Sequence, residues 1–400
     1  MNHPFSILFS SSERRILGLM SGTSLDGIDI ADVRITGSGD DLTWHLSASY
    51  SVSFSDVIKE ILLRNSQPEH ASLVELTLLG DLLAREYEGA ILSALDDWGT
   101  TIGDYDAAGV HGQTIYHQPE PVLLAGHTLT GTYQVGDPSI LSARLGLPVV
   151  GNFRAADMAL GGQGAPLVPY FDYVTFRDAR ENRMLINLGG IANFTVLPAD
   201  SGVDGVFALD TGPANMILDF LAKRYLNVAF DAGGEMAMSG SPDATLLGEL
   251  LDHPFFDRKP PRSTGRELFS AKYMEELIVR AGALGLSTED LFATVAAFSA
   301  DSILIAWERF VKSDLPLSRI LVSGGGVHNR AVMDRLKNGF DPIPIQTTDE
   351  YGVDPDMKEA ICFAVLAHET LNGVPTNVPG ATGASGQTVL GTICLPAPVC

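Results

Sequence analysis

The chain has 400 residues, 45% hydrophobic and 19% charged, a balance that supports large buried cores, excludes global disorder and suits two domains. Its 26 basic and 49 acidic side chains give 26 − 49 = −23 at neutral pH, a surface that repels phosphate backbones and argues against nucleic acid as a partner. Cys362, Cys394 and Cys400 form neither a C-x-x-C pair nor a disulfide framework, the opening MNHPFSILFSSSERR lacks the layout of a secretory signal, and no run of about 18 apolar residues reads as a membrane span, so a reducing cytoplasm without a membrane partner is expected.

Residues 1–13 read as a loose tail. Arg15–Met20 and Ile28–Ile35 are β-type runs joined by the glycine-bearing SGTSLDG, which predicts a hairpin, with Trp44–Phe54 as a third strand. Leu76, Leu79, Leu82, Leu83 and Tyr87 fall at helical spacing within a helix from about Leu73 to Leu95, and Ala107–Val110 is a short strand ending at HGQT. Met184–Pro198 is a second strand, glycine turn and strand, followed by Gly205–Asp210 as third strand. RILGLMSG and RMLINLGG form a faint internal repeat, suited to two similar domains. Helices are then expected over Ala214–Tyr225, Ala271–Ala283, Thr288–Phe310 and Asp354–Thr370, with a strand at Arg319–Ser323 and loop over Gly373–Gly386. Strands alternating with helices imply an α/β architecture.

Three glycine turns could hold a phosphate or a nucleotide. In GLMSGTSLDGID, glycine lets the backbone approach a ligand, Ser21, Thr23 and Ser24 add hydroxyls, and Asp26 adds a carboxylate able to hold a divalent cation. The competing reading is a plain hairpin turn, for which Asp26-Gly27 is a standard signal. NLGGIANF (Asn187–Phe194) invites the same two readings. In VSGGGVHN (Val322–Asn329) a strand runs into three glycines and then a helix, and close approach of a ligand such as an adenosine explains that cost better than stability alone. There is no Walker motif, G-x-G-x-x-G or G-x-S-x-G.

Several polar residues could carry chemistry. Asp210 ends an apolar strand and precedes a helix, placed either as a general base or as a helix cap. Glu359, in an apolar helix, is either a buried carboxylate needing a cation or hydrogen bonds, or a boundary residue reaching solvent. Arg154 can pair with a carboxylate or phosphate and Asp157 can accept sugar hydroxyls, or the two form a local surface ion pair. His111 and Gln113, after the Ala107–Val110 strand, are either structural or face the same site.

Taken with HGQTI, QVGDP, NFRAADMALGGQGAPLVP, LDTGPAN, STGRE, TDEYGVDPDMKEAICFAVLAH and NVPGATGASGQTVLG, these segments resemble the anhydro-N-acetylmuramic acid kinase family, in the family's order and from about Arg15 to Gly391. The resemblance implies the two-domain actin-like ATPase fold (acetate/sugar kinase–Hsp70–actin), with related mixed-sheet cores flanking an interdomain cleft. The domains expected are 14–147 plus 372–400, carrying the first phosphate hairpin, and 148–371. By the same resemblance Gly22, Thr23, Ser24, Leu25, Asp26, Gly27, Ile28 and Asp29 match the ATP signature. Asn187, Gly189 and Gly190 match the second phosphate turn, and Gly324, Gly325, Gly326 and Asn329 the adenosine side. Asp210 matches the catalytic aspartate, Asp26 and Glu359 the residues around Mg²⁺, and Arg154, Asp157, His111, Gln113 and Glu359 the substrate side.

The implied reaction is ATP-dependent: opening of a 1,6-anhydro bridge by water with phosphorylation of the released O6, in peptidoglycan recycling, by a cytoplasmic homodimer. The competing readings are a levoglucosan-type kinase, an ATP-binding chaperone or filament protein on the same fold, and an anhydrosugar hydrolase that uses no ATP.

Overall fold

The apolar run after the N-terminal segment becomes β1 (Glu13–Met20), which turns back antiparallel into β2 (Gly27–Thr36), with Met20 opposite Asp29. The remaining strands in chain order are β3 (Thr43–Ser53), β4 (Ala107–Val110), β5 (Gln113–Leu124), β6 (His127–Val135), β7 (Val149–Gly151), β8 (Arg183–Leu188), β9 (Ile191–Leu197), β10 (Phe207–Pro213), β11 (Arg319–Ser323), β12 (Ile345–Thr347) and β13 (Thr392–Cys394). This computed structural model describes residues 6–22, 25–265 and 268–397. The chain divides into two units, one of 1–175 with 359–400, the other of 176–358.

The sheet of the first unit runs β13-β7-β4-β1-β2-β3 and that of the second β10-β9-β8-β11-β12. In each, the second strand is antiparallel to its neighbours and the first, fourth and fifth are parallel, counting β1, β2, β3, β4, β7 in one and β8, β9, β10, β11, β12 in the other. The faint repeat marks the same central strand of both sheets. This duplicated mixed-sheet topology is the two-domain actin-like fold. The central strands read as nearly continuous apolar runs because both faces are covered: Ile16, Leu17 and Leu19 in β1 and Met184 and Ile186 in β8 are fully buried.

The unit boundaries differ from the expected domains. Residues 148–175 and 359–371, expected in the second domain, lie in the first unit. β7 pairs parallel with β4, which carries the following segment with it. The helix Lys358–Asn372 is tied by two glycines that sit side by side, Gly18 of β1 and Gly109 of β4. A Cβ on Gly18 would lie 2.0 Å from the Ala360 carbonyl oxygen, and one on Gly109 2.1 Å from that of Phe363. The helix backbone therefore rests directly on these two strands, an approach only glycine permits.

The expected loose tail is also partly ordered. Ser6–Ser10 is a short helix and residue 13 already belongs to β1. Buried Arg14 donates from Nε and Nη2 to the Leu8 carbonyl (2.9 and 2.6 Å) and from Nη1 to Asn372 Oδ1 at 2.9 Å. Arg14 Nη1 also lies 3.3 Å from His368 Nδ1, while His368 Nε2 is 2.8 Å from the Gly37 carbonyl. That arrangement fixes the Nε2–H tautomer and leaves no room for a second proton beside a guanidinium. Burial lowers His368 from 6.5 to about 4. A folded value below the unfolded one makes this contribution complete above about pH 6.5 and lost as pH falls towards 4. The urea midpoint is therefore expected to fall between about pH 7.5 and about pH 5, and His368→Gln should flatten part of that fall.

In the second unit the helices Ala271–Ala283 and Thr288–Phe310 have the predicted bounds. The latter is long and apolar enough to cross a membrane, but 78% of its most apolar stretch is buried, with Phe292, Phe298 and Ile303 in the core of this unit. The helix predicted over Ala214–Tyr225 is Asn215–Leu221 continued by a π turn, Ala222–Leu226. The sequence reading missed the exposed β5–β6 hairpin, which forms a sheet of its own, whereas the helix expected after the three glycines is present as Arg330–Phe340.

Candidate active site

The turn between β1 and β2 carries the first group of expected ligands. Thr23 and Ser24 lie outside the described residues. Leu25 N–H donates to the Gly22 carbonyl at 3.1 Å, and Leu25 is held in the left-handed region (φ 62°) with its side chain in the apolar core. Asp26 is exposed, and its carbonyl accepts from Phe54 N–H at 3.1 Å. Gly27 answers to β3: a Cβ there would lie 2.1 Å from the Val52 carbonyl oxygen. Ile28 is buried in the core, and Asp29 Oδ1 accepts from Ser51 Oγ at 2.6 Å. Glu359 is half-buried in the first turn of the helix Lys358–Asn372, between the two alternatives drawn from sequence.

In the second unit the corresponding turn is the two-residue Gly189–Gly190 link between β8 and β9. Its carbonyls accept the N–H groups that open the next helix: Asn215 donates to Gly189 (3.1 Å), and Ala214 (2.9 Å) and Met216 (3.2 Å) to Gly190. Asn187 precedes the turn, with Ser323 Oγ 3.5 Å from its Oδ1. The triple glycine has a structural account that the sequence did not reveal. Gly324 has φ +83°, and a Cβ there would meet Asn187 Oδ1 at 2.7 Å and the Leu188 carbonyl at 2.8 Å. A Cβ on Gly326 would lie 2.5 Å from Leu188 Cβ. Packing on β8 thus requires two of the three glycines, and Gly325 alone is exposed. Asn329 caps the helix Arg330–Phe340, its Oδ1 accepting from Ala331 N–H (3.1 Å) and Val332 N–H (3.3 Å).

Asp210 lies where β10 bulges, between Asp210 and Gly212. It does not cap the following helix, whose cap position is Ala214 with no side-chain bond. Instead Oδ2 accepts from Thr264 N–H at 2.8 Å, and the side chain is buried, 8% exposed. The strand is gripped at the same point by Arg262: its carbonyl accepts from Asp210 N–H at 3.2 Å and its Nε donates to the Asp210 carbonyl at 2.9 Å. Arg262 Nη1 also donates to the carbonyls of Phe256 and Arg258, both at 3.0 Å. Burial lowers this guanidinium to about 10, opposed by the Asp210 charge, so it stays charged at neutral pH. Arg262 escaped the sequence reading. Its neighbour STGRE was noticed, but nothing in the spacing ties it to Asp210.

Arg154 and Asp157 do not pair with each other as a surface ion pair. Arg154 donates from Nη2 (2.7 Å) and Nε (3.2 Å) to His111 Nε2 and from Nη1 to the Gly164 carbonyl at 2.6 Å. Asp157 is fully buried; it accepts from Gly164 N–H (2.8 Å), Asn377 Nδ2 (2.9 Å) and Thr382 Oγ1 (2.7 Å). The two residues therefore grip Gly164 from opposite sides. His111 is buried against Phe363, ring centroids 4.9 Å apart, and burial followed by the Arg154 charge pushes it well below its ordinary value. Gln113, fully buried, donates to the Gly22 carbonyl at 3.1 Å, which joins HGQT to the first glycine turn. Asn377 and Thr382 lie in the loop expected over Gly373–Gly386 and in the segment NVPGATGASGQTVLG, and neither is singled out in the sequence.

The first unit thus contains the β1–β2 turn, an Arg154–His111 pair and two carboxylates, Asp26 and Glu359, while the second holds a glycine turn and a fixed carboxylate at a strand end. Among solved structures the chain is similar to the activator of the 2-hydroxyisocaproyl-CoA dehydratase from Clostridium difficile with bound ADPNP, at TM-score 0.45 and 13% identity over 89% of this chain and 95% of that one. It is also similar to a ROK family glucokinase from Streptomyces griseus in complex with glucose and AMPPNP, at TM-score 0.37 and 14% identity over 88% and 98%. Two relatives called anhydro-N-acetylmuramic acid kinase are much nearer in sequence. That of Salinibacter ruber is 48% identical over 98% of both chains, and that of Caldanaerobacter subterraneus subsp. tengcongensis 37% identical over 97% of this chain and 98% of its own. A sequence model of the family described as Anhydro-N-acetylmuramic acid kinase matches residues 14–396. The chain belongs to the anhydro-N-acetylmuramic acid kinase family and is an ATP-using sugar kinase of peptidoglycan recycling.

Proposed function

We propose that this chain hydrolytically opens 1,6-anhydro-N-acetylmuramic acid and phosphorylates it at O6, with Asp210 as the general base. The observation that carries the reading is the fixed carboxylate: Asp210, buried at a strand bulge, with Oδ2 anchored by Thr264 N–H at 2.8 Å. Asp210 takes a proton from water as the water oxygen bonds to the anomeric carbon. The bond from that carbon to the bridge oxygen breaks, and the bridge oxygen, now O6, takes the γ-phosphoryl group of ATP as ADP leaves. The proton on Asp210 passes to solvent, and the products are N-acetylmuramic acid 6-phosphate and ADP.

The glycine turns supply backbone N–H groups to the ATP phosphates, through residues 22–29, Asn187, Gly189 and Gly190, where charge builds up in transfer. Gly324–Gly326 and Asn329 serve the adenosine side. Asp26, exposed at its turn, and half-buried Glu359 are hard oxygen donors of the first unit and fit Mg²⁺. No group of three or more acidic, histidine or cysteine side chains is poised for a metal among the described residues. Mg²⁺ is ordinarily bound through one or two carboxylates together with waters and substrate phosphates. Held by these two carboxylates, the ion would neutralise phosphate charge. Arg154, His111, Gln113 and the loop that Asp157 fixes receive the sugar.

The test is one incubation of protein, ATP, Mg²⁺ and the anhydrosugar in ¹⁸O-labelled water. The expected outcome is label on the anomeric oxygen, phosphate on O6 and one ADP per sugar. Unlabelled product would remove the hydrolytic step, and faster turnover of levoglucosan would change the substrate. We also read the protein as a cytoplasmic homodimer. The setting is supported by the described cysteines, Cys362 and Cys394, being free thiols, the dimer by the family resemblance alone. Sedimentation giving a monomer would end the dimer reading.

A further inference from the structure

Beyond its first residue, Gln113, the β5–β6 hairpin takes no part in the chemistry proposed above. Its pairs Tyr116–Tyr133, Val122–Leu129 and Leu124–His127 lie directly opposite one another, and Tyr133, Leu129 and His127 are an even number of residues apart along β6. All six side chains therefore share one face. On that face Tyr116, Val122, Leu124, Leu129 and Tyr133 are 44–66% exposed, although all five are large and apolar. The other face is half-buried at its root, at Thr114, Thr132 and Gln134. A two-stranded sheet by itself is marginal in water, and a contiguous exposed apolar row marks a contact surface. We infer that this hairpin face is where two copies of the chain pack together, the same face from each across a two-fold axis. The inference rests on the homodimer reading above and gives that dimer its interface.

Charge selects the occupant. A chain of net charge −23 repels an anionic membrane surface, and it repels its own copy at every contact where carboxylates meet. Self-association therefore needs a surface from which charge has been removed. Between Asp106 and Asp137 the sequence has a single Asp, Glu, Lys or Arg, Glu120. Glu120 is set apart from the apolar row, in the bulge between Gln118 and Val122 where β5 leaves its register with β6. The same bulge holds Pro119 and Pro121, which have no N–H to give to an added strand. Extension of the sheet along β5 is blocked there, which leaves the face, rather than the edge, as the surface to be covered. An isologous contact suits it, because each side chain of the row meets an equally apolar row and no carboxylate is desolvated.

The experiment is sedimentation velocity on the full chain at matched concentrations, with circular dichroism reporting the folding of each variant. Wild type is expected to run as a dimer. The double variant Val122→Glu, Leu129→Glu should run as a monomer, its dissociation constant raised at least about 30-fold, the effect of losing one central interface residue. Leu129→Lys alone should also dissociate. It changes the net charge to −23 + 1 = −22, so its dissociation cannot come from added overall repulsion. Should the double variant fail to fold, Leu129→Lys decides, since that side chain is exposed. Leu123→Glu puts a charge on the opposite face, opposite Thr128 and at a residue 73% exposed, and should leave the dimer intact. A wild-type dimer that survives the Val122 and Leu129 substitutions, or that Leu123→Glu dissociates as strongly, overturns the inference and leaves the dimer reading standing. A wild-type monomer ends the dimer reading, and the inference with it.

Discussion

Asp210→Asn is expected to bind ATP as the wild type does and to turn over about 10²–10⁴-fold more slowly, the usual worth of a positioned base. Asparagine nearly matches the shape and retains an oxygen that can accept from Thr264 N–H, the bond that now holds Oδ2 at 2.8 Å. The strand also keeps both backbone bonds to Arg262. The substitution therefore removes basicity while leaving the local geometry in place, and its effect should appear in kcat. Nucleotide titration and saturating kinetics measure the two quantities separately. Turnover near the wild-type rate would remove Asp210 from the base role. A parallel loss of ATP binding would show that the change had disturbed the fold rather than the chemistry. Asp210→Glu makes a stricter comparison. It keeps a carboxylate but adds a methylene, so a base that must be aimed at one water should be nearly as slow as the amide, whereas a charge that merely neutralises should be partly restored.

The parts of the site legible in sequence are those with local signals. Two strands joined by an Asp-Gly or Gly-Gly turn mark both hairpins, and the end-of-strand position of Asp210 agrees with its place where β10 bulges. What was not legible depends on contacts between distant residues. Asp157 meets Asn377 and Thr382 more than two hundred positions away, and Asp210 meets Thr264 fifty-four away. Composition cannot disclose either pairing. The triple glycine points to a ligand in sequence, and only the structure adds that Gly324 and Gly326 are also demanded by β8 packing against them. The unit boundary differs from the expected domain boundary for a related reason. An apolar helix shows that it is covered but not by which sheet. The decisive residues for Lys358–Asn372 were Gly18 and Gly109, on strands more than two hundred residues upstream. Topology fared better, because the same strand–turn–strand signal recurs at the start of each sheet and the order of strands follows it.

Asp157→Ala is expected to be the most destabilising single change near the sugar segment, because it leaves three inward-facing donors behind. Gly164 N–H, Asn377 Nδ2 and Thr382 Oγ1 all point at this carboxylate, which is fully buried. Each buried donor without an acceptor costs about 1–3 kcal/mol, and Asn377 Nδ2 has a second acceptor in the Gly386 carbonyl that softens its share. A total loss of several kcal/mol, a large part of ordinary domain stability, follows unless water enters the space. Asp157→Asn separates charge from shape. Its one remaining oxygen can serve Asn377 and Thr382, but the amide then turns an N–H towards the Gly164 N–H, donor against donor. That variant should fall between wild type and alanine in urea unfolding. It should also raise KM for the sugar more than KM for ATP, since Gly164 is the residue through which Asp157 holds the Arg154 side chain in place. Alanine as stable as the wild type would show the knot to be dispensable. Unchanged sugar KM in the asparagine variant would uncouple Asp157 from Arg154 and leave it a purely structural tie between the 161–164 loop and the C-terminal segment.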